Sequence, residues 1–205
     1  MNIEAAAVSA RINALVDEQD RQHAVDVIVR RSPWSIIPEL GMGGSCYEPS
    51  LATIVVAPES EAFERSFEEG AFGMTLAHEL HHALRHAVCG YGATLGEAIV
   101  SEGLADHFAT EVTGCAPPIW TDADLSPAVI ERAEGELSGI VYHHAEWFFG
   151  RGGLPRWAGY AMGWRLVASY LSLNPDESAA GLVGVNAASI LSAAWPDLAE
   201  RRGRA

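Results

Sequence analysis

The segment His78-Glu79-Leu80-His81-His82 carries the densest chemistry in the chain. His78 and His82 are four residues apart. On a helix they stand one above the other on one face, with about 5–6 Å between their Cβ atoms. Two imidazoles at that spacing can share one tetrahedral Zn2+, and a Glu directly after the first His is placed to hold a water rather than the metal. In this composition the pattern HExxH arises by accident about 0.03 times, so by itself it is a moderate signal.

The next block strengthens it. Glu102 lies 20 residues after His82, on the next predicted helix, and Asp106 lies four further on. A Glu at that place supplies a third ligand. An Asp one turn later can accept the free N–H of a zinc-bound imidazole, which fixes its tautomer and raises its basicity. Requiring both residues lowers the accident rate by a further factor of about 300. Glu97, Asp106, His107 and Glu111 compete for the third position. Glu97 is better used as the cap partner of Thr94, and Asp106 as the support of a ligand, so Glu102 is taken as the ligand. The metzincin pattern would need Gly at Arg85 and His at Val88, and has neither. His81 falls off the His78–His82 face, facing solvent or the helix over 94–108. His86 is two turns from His78, too far to share its metal. Both are read as structural. Arg85 either pairs with a buried carboxylate such as Asp106 or lies at the surface.

Three blocks carry a resemblance: His78-Glu79-Leu80-His81-His82-Ala83-Leu84-Arg85, then Glu97 to Asp106, then Trp157-Ala158-Gly159-Tyr160-Ala161-Met162-Gly163-Trp164. The first two resemble the gluzincin clan of zinc peptidases, the thermolysin-like branch with HExxH and a later Glu-x-x-x-Asp. Together the three look like a bacterial family of predicted Zn-dependent proteases classed as a domain of unknown function, over roughly residues 41–172. The resemblance implies a small zincin-like fold and a mononuclear zinc hydrolase, and supplies no substrate. It also points to Tyr160, because tyrosine donates to the oxyanion in some gluzincins. Removing such a donor usually costs about 3 kcal/mol of transition-state stabilisation. A packing aromatic is the alternative for Tyr160, and His143 and His144 are second choices as donor.

These residues must be positioned by the elements around them. Residues 3–19 alternate apolar and charged types at helical spacing, with Ile3, Ala7, Ile12, Leu15 and Val16 on one stripe. Residues 24–30 and 52–57 are short β-branched runs, hence strands, the second stopped by Pro58. Between them Gly41-Met42-Gly43-Gly44 reads as a flexible turn. The alternative is a sheet edge along the cleft, where zincins bind extended peptides through backbone hydrogen bonds. A helix is expected to begin near Glu59. Residues 70–87 and 95–111 are helical windows. The first is ended by Cys89-Gly90-Tyr91-Gly92, and the second is opened by a capping box, Thr94 with Glu97. Ser126-Pro127 starts a helix over 127–148, and another spans 158–172 beyond the Gly150–Pro155 loop. Strands early and helices late predict an α+β fold: a single zincin-like domain over 1–205, with an α/β part to residue 69 and a mostly helical part from 70.

Composition narrows the function. The 205 residues hold 13 Lys+Arg, all of them Arg, against 27 Asp+Glu, a net charge of −14. With no Lys there is no Schiff-base or P-loop lysine chemistry, and the acidic balance argues against nucleic acid. Cys46, Cys89 and Cys115 are far apart and form no CxxC, so inert thiols in a reducing cytosol are expected. No signal peptide is visible. The uncharged stretch Ser178–Pro196 is too rich in Gly, Ser and Ala to read as a membrane span and is taken as short buried helical pieces. A cytoplasmic protein without a membrane partner follows, its oligomeric state open. The expected activity is zinc-dependent hydrolysis of a peptide or amide bond. Glu79 would take a proton from water and deliver it to the leaving amine, while Tyr160 would hold the oxyanion. A zinc hydrolase or lyase for a specialised small molecule is the alternative. A zinc-stabilised interaction module is a further one, though it would have no need of Glu79, and a merely His-rich helix is the last.

Overall fold

In the computed structural model, which describes residues 1–200 apart from Gln22 and Tyr91, the chain forms a three-stranded mixed sheet, two of its strands where the sequence is β-branched. The chain divides into two compact units. One comprises Met1–Tyr91 and Phe108–Ala116, the other Gly92–His107 and Pro117–Ala205.

In the first unit the central strand is β3 (Leu51–Val56), flanked by β1 (Asp26–Arg31) and β2 (Met42–Glu48). β1 runs parallel to β3, with Asp26 opposite Leu51 and Arg31 opposite Val56. β2 runs antiparallel, with Met42 opposite Val56 and Gly44 opposite Ile54, and its register shifts between Ser45 and Glu48. Helix α1 (Asn2–Leu15) buries Val8 and Ile12. A single turn and a half, α2 (Phe63–Glu68), begins a few residues after the expected Glu59. The long helix α3 (Ala71–Cys89) packs on β2, β3, α1 and α2. Its inner face is Phe72, Leu76, Ala77, Ala83 and Leu84, together with the polar Glu79, His81 and Arg85. Of the Cys89–Gly92 stop, Tyr91 lies outside the described residues.

The flexible-turn reading of residues 41–44 is corrected. Only Gly41, at φ +62°, is a turn residue of the left-handed kind, and Met42 onward is strand. Glycine disfavours strands on propensity alone. It is required here by close approach: a Cβ on Gly43 would lie 2.7 Å from the Ser35 carbonyl oxygen, and one on Gly44 would fall on the side chain of Glu79.

The second unit is helical. Helix α4 (Leu95–Thr113) belongs to it as far as His107 and opens on the expected capping box. The Thr94 hydroxyl accepts the Glu97 N–H at 3.2 Å, and the Glu97 carboxylate accepts the Thr94 and Ala93 N–H groups at 2.9 and 2.8 Å. The helix expected over 127–148 is two, α5 (Pro127–Glu136) and α6 (His144–Phe149). The break has a physical reason. The carbonyls of Gly139 and Leu137 accept the N–H groups of Leu95 and Gly96, two donors that the first turn of α4 cannot satisfy itself. Helix α7 (Ala158–Leu173) follows, and residues 178–196 form a 3₁₀ turn at Ala180–Leu182 and most of α8 (Ala187–Glu200). Among the described residues no helix is long and apolar enough to cross a membrane. Leu95, Ile99, Ile130, Ala133, Trp147, Phe148, Met162, Leu166 and Trp195 make the core of this unit.

α4 and α7 meet backbone to backbone. A Cβ on Gly103 would overlap the Gly163 carbonyl, and one on Gly163 the Ile99 carbonyl. The two glycines thus set the approach of the helices that carry Glu102 and Tyr160. A charged network ties α5, α6 and the following loop together. Arg132 holds Glu146 through two hydrogen bonds at 2.9 and 3.0 Å and Glu136 through one at 2.9 Å, and Glu146 also accepts the Gly153 N–H. These bonds, Arg132 first and then Gly153, hold the Glu146 carboxyl down to about 2 from its usual 4.5. Its contribution to stability is therefore present above about pH 4.5 and is lost as the pH falls towards 2. Thermal melts should show wild type losing Tm across that window. Glu146→Gln should start lower at pH 7 and converge with wild type near pH 2. Parallel curves would show that the network contributes nothing.

Candidate metal centre

α3 presents His78 and His82 on one face, both half-buried, with their Nε2 atoms 3.0 Å apart and their rings edge to face at 4.7 Å. Glu79, one residue round the helix, is 7 % exposed. Its side chain lies against Gly44 of β2. Cys46, two residues along the same strand, is buried close enough to feel the Glu79 charge. Burial first, and that charge second, push its thiol up to about 11. Cys46 therefore stays a protonated thiol, and its Sγ donates to the Glu48 carbonyl at 3.2 Å. The three cysteines are unbridged, as expected, although Cys89 is exposed rather than buried. His81 is fully buried with its ring 5.0 Å from Phe108, not at solvent, and Arg85 is buried too, which removes its surface reading.

On α4, Glu102 is half-buried. Three of its four rivals have partners of their own. Glu97 caps the helix. Asp106, 1 % exposed, accepts the Trp120 indole N–H at 2.7 Å. His107 stacks on Trp164 at 3.7 Å and bonds its carbonyl through Nε2, and burial lowers its affinity for a proton. Among the described residues one group of three could hold a metal ion. It is His78, His82 and Glu102, with one ligand atom from each lying within 4.8 Å of the others.

The donor chemistry fits zinc. Bonds of about 2.0–2.1 Å in a tetrahedron place ligand atoms about 3.3 Å apart, close to the observed Nε2 separation. Two imidazoles and a carboxylate are three protein ligands, the number usual in catalytic rather than structural zinc sites.

The sequence matches the family described as Predicted Zn-dependent protease (DUF2268) over residues 22–192. The chain belongs to that family. No curated protein and no solved structure matches it. In this member of the predicted Zn-dependent proteases, the surroundings of the triad are as informative as the triad. Tyr160, in the first turn of α7, is half-buried among Trp120, Phe148, Phe149 and Trp157, whose ring centroids lie 5.1 to 6.3 Å from its own. His143 is accounted for structurally: its Nδ1 accepts the Glu146 N–H at 3.0 Å and caps α6. His144 stacks on Phe148 at 4.5 Å. Partial loss of water lowers its proton affinity, and the nearby Glu102 charge works the other way. Tyr142 was not singled out from the sequence. Burial, then the charges of Glu102 and Glu97, raise its phenol pKa. The only sequence signal for it was the run Tyr142-His143-His144.

Substituting a ligand should empty the centre. His82→Ala, purified without chelator, should carry far less zinc than the roughly one ion per chain expected of wild type, read by elemental analysis. Equal zinc in both proteins would remove His82 from the site.

Proposed function

We propose that the protein is a gluzincin-type zinc peptidase, hydrolysing a peptide bond with His78, His82 and Glu102 as metal ligands and Glu79 as the base. The observation that carries this reading is the convergence of those three ligand atoms within 4.8 Å, with Glu79 next to the first of them. Zinc bound there would supply Lewis acidity, which lowers the pKa of water from 15.7 to about 7.

The chain's own residues do the rest. Glu79, as carboxylate, accepts a proton from the attacking water and passes it to the leaving nitrogen, so that no covalent intermediate is needed. Tyr160 donates its phenolic hydrogen to the developing oxyanion, the aromatic wall of Trp120, Phe148 and Trp157 limiting its motion. A peptide rather than a small metabolite is favoured by the strand beside the base. β2 is the last strand of the sheet on that side; the Ile37 N–H bridges to the Met42 carbonyl at its start, and further along Gly44 touches Glu79. An extended peptide can add to such an edge by main-chain hydrogen bonds and so lie with a carbonyl near Glu79.

Two substitutions test the roles. Glu79→Gln should keep its zinc and lose turnover by at least about 10³-fold on a peptide library, since it removes a general base and keeps the shape. Turnover equal to wild type would refute the base assignment. Gly44→Ala should also keep zinc. Its new methyl must displace the Glu79 carboxylate, and a misplacement of about 1 Å costs on the order of 10²-fold in kcat. Unaltered kcat would show that Glu79 needs no such placement.

A further inference from the structure

The sheet has a second edge, β1, on whose outer side no strand pairs among the described residues. All six residues from Asp26 to Arg31 are exposed, so both faces of the strand meet solvent. Val27, Ile28 and Val29 keep 39, 49 and 41 % of their surface exposed, an unusual run of β-branched residues to leave uncovered. The backbone shows which groups are unpaired. The Asp26 N–H donates to the Ser50 carbonyl at 2.8 Å and the Ser32 N–H to the Val56 carbonyl at 3.0 Å. In a parallel ladder alternate residues turn both their groups to the same neighbour. Asp26, Ile28 and Arg30 therefore face β3, and Val27, Val29 and Arg31 turn their N–H and C=O groups outward.

We propose that this edge pairs with the β1 edge of a second copy of the chain, antiparallel about a two-fold axis at Ile28, to give a continuous six-stranded sheet. An axis perpendicular to the sheet keeps every side chain on its own face, so opposed residues must share parity. Centred on Ile28, it sets Asp26 opposite Arg30, Val27 opposite Val29 and Ile28 opposite itself. Val27 and Val29 are residues with outward backbone groups, so each such pair exchanges both its hydrogen bonds. Asp26 and Arg30 lie on the face of Ile28, and the axis places one opposite-charge pair at each side of the central isoleucines. The neighbouring registers lack this match. Centred on Val29, Arg30 meets Ile28 and Arg31 meets Val27. Centred on Val27, Asp26 meets Ile28. Charge complementarity thus selects both the occupant and the register.

Sedimentation equilibrium on the full chain at about 0.15 M salt, where charges more than about 8 Å apart are screened, tests this. Wild type should sediment at twice the chain mass. Asp26→Arg and Arg30→Asp, each of which opposes like charges, should weaken self-association about ten-fold or more and move towards one chain mass. The double variant D26R/R30D should recover the dimer. An equimolar mixture of the two single variants should form a heterodimer, which a misfolded variant could not do. A wild type that is monomeric throughout, single variants that stay as dimeric as wild type, or a mixture that does not associate would each overturn the proposal.

Discussion

A zinc site of this type depends on one geometric constraint: two imidazole nitrogens and a carboxylate oxygen must be held within a few ångströms of each other by backbone that would otherwise have no reason to place them so. The helical pitch answers half of it. Four residues on α3 bring the Nε2 atoms of His78 and His82 to 3.0 Å without any long-range help. The other half falls on α4. Its first turn is fixed by the Thr94–Glu97 box and by the carbonyls of Leu137 and Gly139, and its flank is fixed by the Gly103–Gly163 contact with α7. Glu102 sits next to that contact, so the position of this candidate ligand on its helix follows from capping and backbone packing.

The interior also holds buried charge and polarity. Glu79, His81, Arg85 and Asp106 are at least nine-tenths buried, in a chain where apolar residues are plentiful. Burying such groups is unfavourable unless they are hydrogen-bonded or paired. Asp106 shows how the cost is met, through the Trp120 indole. The weight of hydrophobic stabilisation in the second unit is carried elsewhere, by Trp147, Phe148, Met162, Leu166 and their neighbours.

What could be read from the sequence was what is encoded at short range. The His78–His82 spacing, the capping box at Thr94, the β-branched strands at 26–31 and 51–56 and the α+β order of elements all follow from a few adjacent residues. Glu102 could be named as a candidate because it falls on the helix that the capping box opens, with Asp106 one turn further on. What failed needed partners far along the chain. Residues 41–44 looked like a turn because Gly43 and Gly44 carry no strand propensity, whereas their role is to admit Ser35 and Glu79. The helix over 127–148 breaks because α4 needs two carbonyls from it. For His81 and Arg85 the sequence left interior and surface open, because single-residue polarity does not report burial; both are buried. Tyr142 escaped notice because its relation to Glu102 is spatial.

X-ray absorption at the zinc edge of the purified protein bears most directly on the central claim. The account predicts one zinc per chain with a first shell of nitrogen and oxygen alone, at about 2.0–2.2 Å, and the outer-shell scattering of two imidazole rings. A sulfur scatterer at about 2.3 Å, which would bring in Cys46 or another thiol, or a shell with fewer than two imidazoles, would contradict it.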